Sequence, residues 1–202
     1  MQIALKAGAD AFGFLVGITH KAEDKVSYDE AKYMIAMLPP FVSSVAVTHL
    51  TDVREIIDVV KFIKASTLQI HDHIAPEAVG YVRDSLPNIK ILKAIHVIDQ
   101  ETVGIAKSFE RYVDGLLLDS RTKDRLGGTG ITHDWSISRE IVEAVKVPVI
   151  LAGGLTPGNV FEAVKKVQPF GVDVNSGVEI NGDKDFDSIK IFIREARKGI
   201  GK

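Results

Sequence analysis

Seven short apolar runs alternate with segments of helical period, a strand-to-strand spacing of about 25 residues that suits β/α units; no other feature constrains this 202-residue chain more. The runs are AFGFLV at 11–16, SVAVTH at 44–49, STLQIH at 66–71, IKILKAI at 89–95, DGLLLD at 114–119, VPVILA at 147–152 and FGVDV at 170–174. Runs this short and this continuously apolar suit strands buried on both faces of a parallel sheet. Between them, apolar residues fall on one helical face: Ala31, Met34, Ile35 and Leu38; Val53, Ile56, Val60 and Ile63; Val160, Ala163, Val164 and Val167. Ser27 with Glu30 forms a capping box, Pro76 suits a first helical position after Ala75, and Thr156–Pro157 reads as an N-cap followed by proline. A last helix is expected from about Asp185 to Arg197, with Phe186, Ile189, Phe192 and Ala196 inward.

The chain opens inside a helical pattern (Ile3, Ala4, Ala7) that Gly8 closes as a C-cap, so it holds seven strands but eight helices. That count predicts an α/β fold of the (β/α)8 TIM-barrel class with the first β-strand missing, as one domain over 1–202. An open doubly wound sheet is the rival, because periodicity does not reveal strand order.

Composition excludes several other classes. With 46% hydrophobic and 26% charged residues the chain can bury a core, and a formal charge of -2 gives no basic field for nucleic acid or an anionic membrane. The apolar runs are far shorter than the roughly 20 residues of a membrane span, and no secretory signal opens the chain, so a cytoplasmic location is expected. The absence of cysteine removes disulfides, thiolate metal sites and cysteine nucleophiles.

In a β/α barrel the chemistry sits at the carboxyl ends of the strands. Gly153 and Gly154, followed by a helix start, and Ser176 with Gly177 at the next strand end make a cradle of backbone donors for a phosphate. Asp119 ends a run of three leucines, where desolvation raises its pKa and makes it a general-acid candidate; the alternative is a carboxylate that caps the following turn. Asp173 and Asn175 share a face of the last strand, which predicts a buried, partnered acid. The GGTG run at 127–130 reads as a loop that closes over a ligand. Six histidines, His20, His49, His71, His73, His96 and His133, show no firm metal-ligand spacing beyond the HDH at 71–73, and no metal is expected. Trp135 reads as a packing residue beneath the loop.

The segments LLLDS, GGTG followed by THDW, PVILAGGLTPGNV and PFGVDVNSGVE, in this order and spacing, resemble the phosphoribosylanthranilate isomerase family of tryptophan biosynthesis; GADAFGF, LPPFV and LQIH extend the likeness over nearly the whole chain. The resemblance implies a cofactor-free Amadori rearrangement of a phosphoribosyl aromatic amine, acting on a small-molecule substrate as a monomer or homodimer. It implies Asp119 as the general acid, the phosphate on Gly153, Gly154, Ser176 and Gly177, and Asp173 as the family's inward acid.

The chain departs from the family pattern where the family's first strand carries its catalytic cysteine, since neither is present. Lys25 stands in place of an arginine that meets the anthranilate carboxylate, and a lysine supplies charge without the bidentate fork. Asn175, Ile131 and His133 replace the family's serine, lysine and phenylalanine, and VTHL at 47–50 replaces an FVN-like sequence. Three readings follow: an isomerase whose missing strand is encoded upstream of Met1, a non-catalytic phosphosugar binder, or an isomerase on another aromatic amine with His49 or His96 as the base. A chain that truly starts at Met1 would expose unpaired strand edges and is expected to aggregate or melt at low temperature.

Overall fold

The computed structural model describes residues 1–19, 24–120 and 134–200. Its backbone divides into two compact units, one of residues 10–94 and 111–114, the other of 1–9, 95–110 and 115–202.

The first unit is a run of parallel strands with helices between them. Strands β1 (Ala11–Leu15), β2 (Ser43–Thr48), β3 (Thr67–Ile70) and β4 (Lys90–Val97) lie in that order, and the last residues of β4 belong to the other unit. Leu15 pairs with Val47, Thr48 with Ile70, and Ile70 with Lys93. Helices α2 (Tyr28–Ala36), α3 (Val53–Ile63) and α4 (Pro76–Ser85) connect them. The start of α2 is the expected capping box: the Glu30 backbone amide donates to Ser27 Oγ at 3.2 Å while the Ser27 amide donates to Glu30 Oε2 at 2.9 Å. Pro76 opens α4 as predicted. Ile56, Val60 and Ile63 are buried, as are Ala46, Leu68 and Ile91 of the strands, the burial that the helical spacing anticipated. Leu38 lies beyond the end of α2, so the expected four-residue stripe is cut short there.

The second unit contains strands β5 (Gly115–Ser120), β6 (Val149–Leu151) and β7 (Gly171–Val172), again parallel and in order. All six residues of β5 are buried, the reason that its sequence shows no alternation. Helix α1 (Gln2–Ala7) ends on Gly8, whose φ of 94° is the left-handed cap expected from sequence, and packs on α8 (Phe186–Ile200). Helices α5 (Thr102–Phe109), α6 (Trp135–Ala144) and α7 (Val160–Val167) complete the unit. Val160, Ala163, Val164 and Val167 are buried as read. Ile189, Phe192 and Ala196 of α8 are buried too, whereas Phe186, expected inward, stands 39% exposed at the helix's first position.

Two further corrections bear on the site. Helix α7 begins at Val160, not at Thr156–Pro157: Asn159 Oδ1 accepts from the Thr156 amide at 2.8 Å and closes a turn before the helix. Strand β7 is only two residues long, so Asp173 and Asn175 lie past it. After β7 the chain forms a three-residue 3-10 turn (Ser176–Val178) and an antiparallel ribbon, β8 (Glu179–Ile180) with β9 (Asp183–Lys184). No described helix is long and apolar enough to cross a membrane.

Candidate active site

Asp119 is the penultimate residue of β5 and is buried, with 8% of its surface exposed. Burial, reinforced by the like charge of Asp173, pushes its carboxyl up to about 6 from an ordinary 3.8, against a hydrogen bond from the Ser120 backbone. A carboxylic acid at that value holds a useful fraction of its protons near neutrality, which suits a general acid. His96, near the end of β4 and in the same unit, brings a ring nitrogen within 4.8 Å of an Asp119 carboxylate oxygen.

The turn after β6 runs against Asp119. Gly153 and Gly154 both take left-handed backbone, with φ of 82° and 66°. A Cβ on Gly153 would meet Ser120 Oγ at 2.0 Å, so only glycine allows this approach. Asn159 Nδ2 donates to the Gly154 carbonyl at 3.0 Å, and with its Oδ1 on Thr156 it braces the turn from both sides. The next strand end comes to the same place: a Cβ on Gly177 would lie 1.8 Å from the Leu155 carbonyl oxygen. The two glycine segments singled out in the sequence therefore meet in backbone contact at Gly177 and Leu155.

Asp173 follows β7, its amide donating to the Leu151 carbonyl at 2.9 Å. It is exposed rather than the buried strand residue expected, because the strand stops before it. Dense surrounding protein nevertheless raises its carboxyl above the ordinary value, while the Val174 amide and the Lys184 charge pull it down. Lys184, which sequence reading missed, donates to Asn175 O at 3.1 Å, to Asn175 Oδ1 at 2.5 Å and to the Glu179 carboxylate. Its signal was present: Asn181–Gly182 is a hairpin dipeptide that folds Lys184 back, with φ of 55° and 86°.

Lys25 belongs to the other unit. It is exposed, forms an isolated parallel bridge with Leu15, the last residue of β1, and lines a recess of about 340 Å³ with Gly17, Ile18, Val26, Ser27 and Tyr28. At the ends of β2 and β3 in that unit, His49 and His71 hold their rings 4.6 Å apart, and Gln69 Nε2 meets His71 Nδ1 at 3.3 Å. Lys93 was also missed. It is 4% exposed in β4, donates to the Ala94 carbonyl at 2.6 Å and the Ile70 carbonyl at 3.3 Å, and burial drops its amine to about 8 despite the opposing charge of Asp72. His20, the 127–130 loop, Ile131 and His133 lie outside the described residues. Trp135 opens α6 and is half-buried, with no hydrogen-bond partner for its indole nitrogen among the described residues; the loop it was expected to pack beneath lies outside them.

Comparison with known proteins bears on the whole chain. The family model for N-(5'phosphoribosyl)anthranilate (PRA) isomerase matches residues 2–195. N-(5'-phosphoribosyl)anthranilate isomerase 2 of Methanosarcina mazei is 41% identical over 203 aligned residues, covering 99% of this chain and 90% of the relative. The crystal structure of phosphoribosyl anthranilate isomerase from Thermotoga maritima superposes with a TM-score of 0.84 at 33% identity, over 98% of this chain and 92% of that one. A structure of the isomerase in complex with reduced 1-(o-carboxyphenylamino)-1-deoxyribulose 5-phosphate superposes with a TM-score of 0.81 at 32% identity, over 98% and 92% of the two chains. The fold is thus α/β of the (β/α)8-barrel class, with seven parallel strands and eight α-helices among the described residues. With the acid-bearing strand end and the glycine turns that such a fold uses both in place, the chain belongs to the N-(5'-phosphoribosyl)anthranilate isomerase family.

Proposed function

We propose that the chain isomerises N-(5'-phosphoribosyl)anthranilate, or a close aromatic-amine analogue, to the 1-deoxyribulose 5-phosphate product in tryptophan biosynthesis. The observation that carries this reading is Asp119, a buried acid at a strand end with its carboxyl raised to about 6 and the Gly153 turn against it. Protonated Asp119 gives its proton to the furanose oxygen as the C1–O bond breaks and the amine lone pair forms C1=N. A base then removes the C2 proton to give an enol. The enol hydroxyl releases its proton as C1 gains one, leaving a ketone at C2, so four proton movements sum to an isomerisation with no cofactor. The phosphate meets the backbone amides of Gly153, Gly154, Ser176 and Gly177; Asp173 faces the sugar; Lys25 supplies charge for the aromatic carboxylate.

The glycine turns offer backbone donors to a phosphate whether or not a base stands nearby, and that geometry supports a second reading, a phosphosugar binder without turnover. Purified protein and substrate decide between them, with the aromatic amine followed by fluorescence. Turnover that Asp119→Asn abolishes supports the isomerase. Calorimetric binding of ribose 5-phosphate with no turnover supports the binder, and neither turnover nor binding overturns both.

A further inference from the structure

A single ammonium group gathers the ends of the turn on which the phosphate reading depends. After β7 the chain passes through the Ser176–Val178 turn into the β8–β9 ribbon, and the reversal at Asn181–Gly182 brings Lys184 beside Asn175. A three-residue 3-10 turn has poor hydrogen-bond geometry and no cooperative length, so its position is set by what holds its flanks. Asn175 precedes that turn and Glu179 follows it, and Lys184 Nζ binds both. An ammonium has three donors, and here three acceptors take them: the Asn175 carbonyl, the Asn175 side-chain oxygen and the Glu179 carboxylate. Lys184 is half-buried, with 38% of its side chain exposed against 24% for Glu179, so the pair is partly shielded from water. The Asp185 amide adds a bond to the Val178 carbonyl at 2.9 Å, closing the same segment.

We infer that Lys184 is the positioning residue of the phosphate-binding turn: acting through Asn175 and Glu179, it holds the Ser176 and Gly177 amides in place for a sugar phosphate. With its three protons committed, it is the brace of the cradle and not a phosphate ligand. The inference rests on the phosphate reading above. It differs from a merely structural role in predicting a loss confined to phosphate-dependent binding.

The test is calorimetric binding of ribose 5-phosphate, together with kcat and KM, for wild type, Lys184→Met, Lys184→Arg and Glu179→Gln, with circular dichroism to confirm folding. Lys184→Met is expected to weaken ribose 5-phosphate binding and raise KM by about tenfold, with kcat held within about twofold. Lys184→Arg, which keeps charge and donors, is expected to recover most of that loss. Folded Lys184→Met that binds ribose 5-phosphate as wild type does overturns the inference, as does a fall in kcat with KM unchanged. If Lys184→Met fails to fold, Glu179→Gln decides: weakened binding supports the brace and unchanged binding overturns it. A wild-type chain that binds no ribose 5-phosphate overturns the phosphate reading itself, and the inference with it.

Discussion

Gly153 lies against Asp119: a Cβ placed on the glycine would sit 2.8 Å from Asp119 Oδ1, as well as 2.3 Å from the Ser120 nitrogen. The Gly153 φ of 82° adds a second reason for glycine, since L side chains rarely adopt it. Asp119 and the Gly153 turn proposed to hold the phosphate are thus built as one piece, and a methyl group between them disturbs both. Gly153→Ala is expected to cost about 1–3 kcal/mol of stability from backbone strain and displacement. It should also lower kcat/KM by more than Gly104→Ala, an α5 glycine whose added Cβ meets nothing within 4 Å. Equal urea midpoints and equal kcat/KM for the two variants would contradict this.

Asp119→Asn separates stability from activity. Between the ordinary carboxyl value of 3.8 and the folded value of about 6, the folded chain holds more protons at Asp119 than the unfolded chain does. Stability contributed by this group therefore falls as pH rises through that window, and above it the buried carboxylate remains a burden. The asparagine escapes the burden, so the variant is expected to be more stable at pH 7 by up to about 3 kcal/mol, with the gain fading below about pH 4. Turnover should drop by about 10²–10⁴-fold, and wild-type kcat/KM should fall as pH rises past about 6, where the acid form is lost. Urea titrations of both proteins at several pH values, with matched rate profiles, provide the check.

The strands were legible because each buries both faces, so a continuous apolar run such as Leu116–Leu118 announces itself without any partner being known. The Ser27–Glu30 box and the Gly8 cap were legible for a related reason: both are local, and their chemistry is complete within four residues. What escaped was non-local. Lys93 reads as an interruption in a strand until the register sets it opposite Ile70, whose carbonyl it binds. His49 and His71 are far apart in sequence and meet because β2 and β3 are neighbours with Thr48 opposite Ile70. Thr156–Pro157 carried a genuine start signal, yet Asn159 three residues on formed a tighter turn and delayed the helix. Asp173 was placed inside a strand because alternation continues past the point where pairing ends.

Lys25 tests the aromatic end of the proposed substrate independently of the phosphate end. It is exposed and sits in a recess with Ser27 and Tyr28, so its removal leaves no buried charge unpaired and is expected to leave folding unchanged. Lys25→Ala should raise KM for the carboxylate-bearing substrate by about tenfold, the value of one charge-assisted contact, with kcat little altered. Ribose 5-phosphate, which lacks the aromatic acid, should bind the variant as it binds wild type. Equal weakening of both ligands would show that Lys25 serves the fold or the phosphate and not the carboxylate.

Lys93 predicts a pH signature of its own. Its amine titrates at about 8 in the folded chain because burial disfavours the ammonium, against an ordinary 10.5. Between those values the unfolded chain holds more protons, so stability from this group rises with pH across the window, the opposite direction to Asp119. Lys93→Met removes the titration while keeping an unbranched chain of similar reach. The stability of wild type relative to Lys93→Met is therefore expected to climb by up to about 3 kcal/mol between pH 8 and 10.5 and to stay level below that range. At pH 7 the substitution relieves a buried charge but strands the Ile70 and Ala94 carbonyls, each costing about 1–3 kcal/mol, so the two effects oppose each other there and the slope with pH is the discriminating quantity. A wild-type-minus-variant difference that stays flat from pH 8 to 10.5 would show that the ammonium is not penalised by its surroundings.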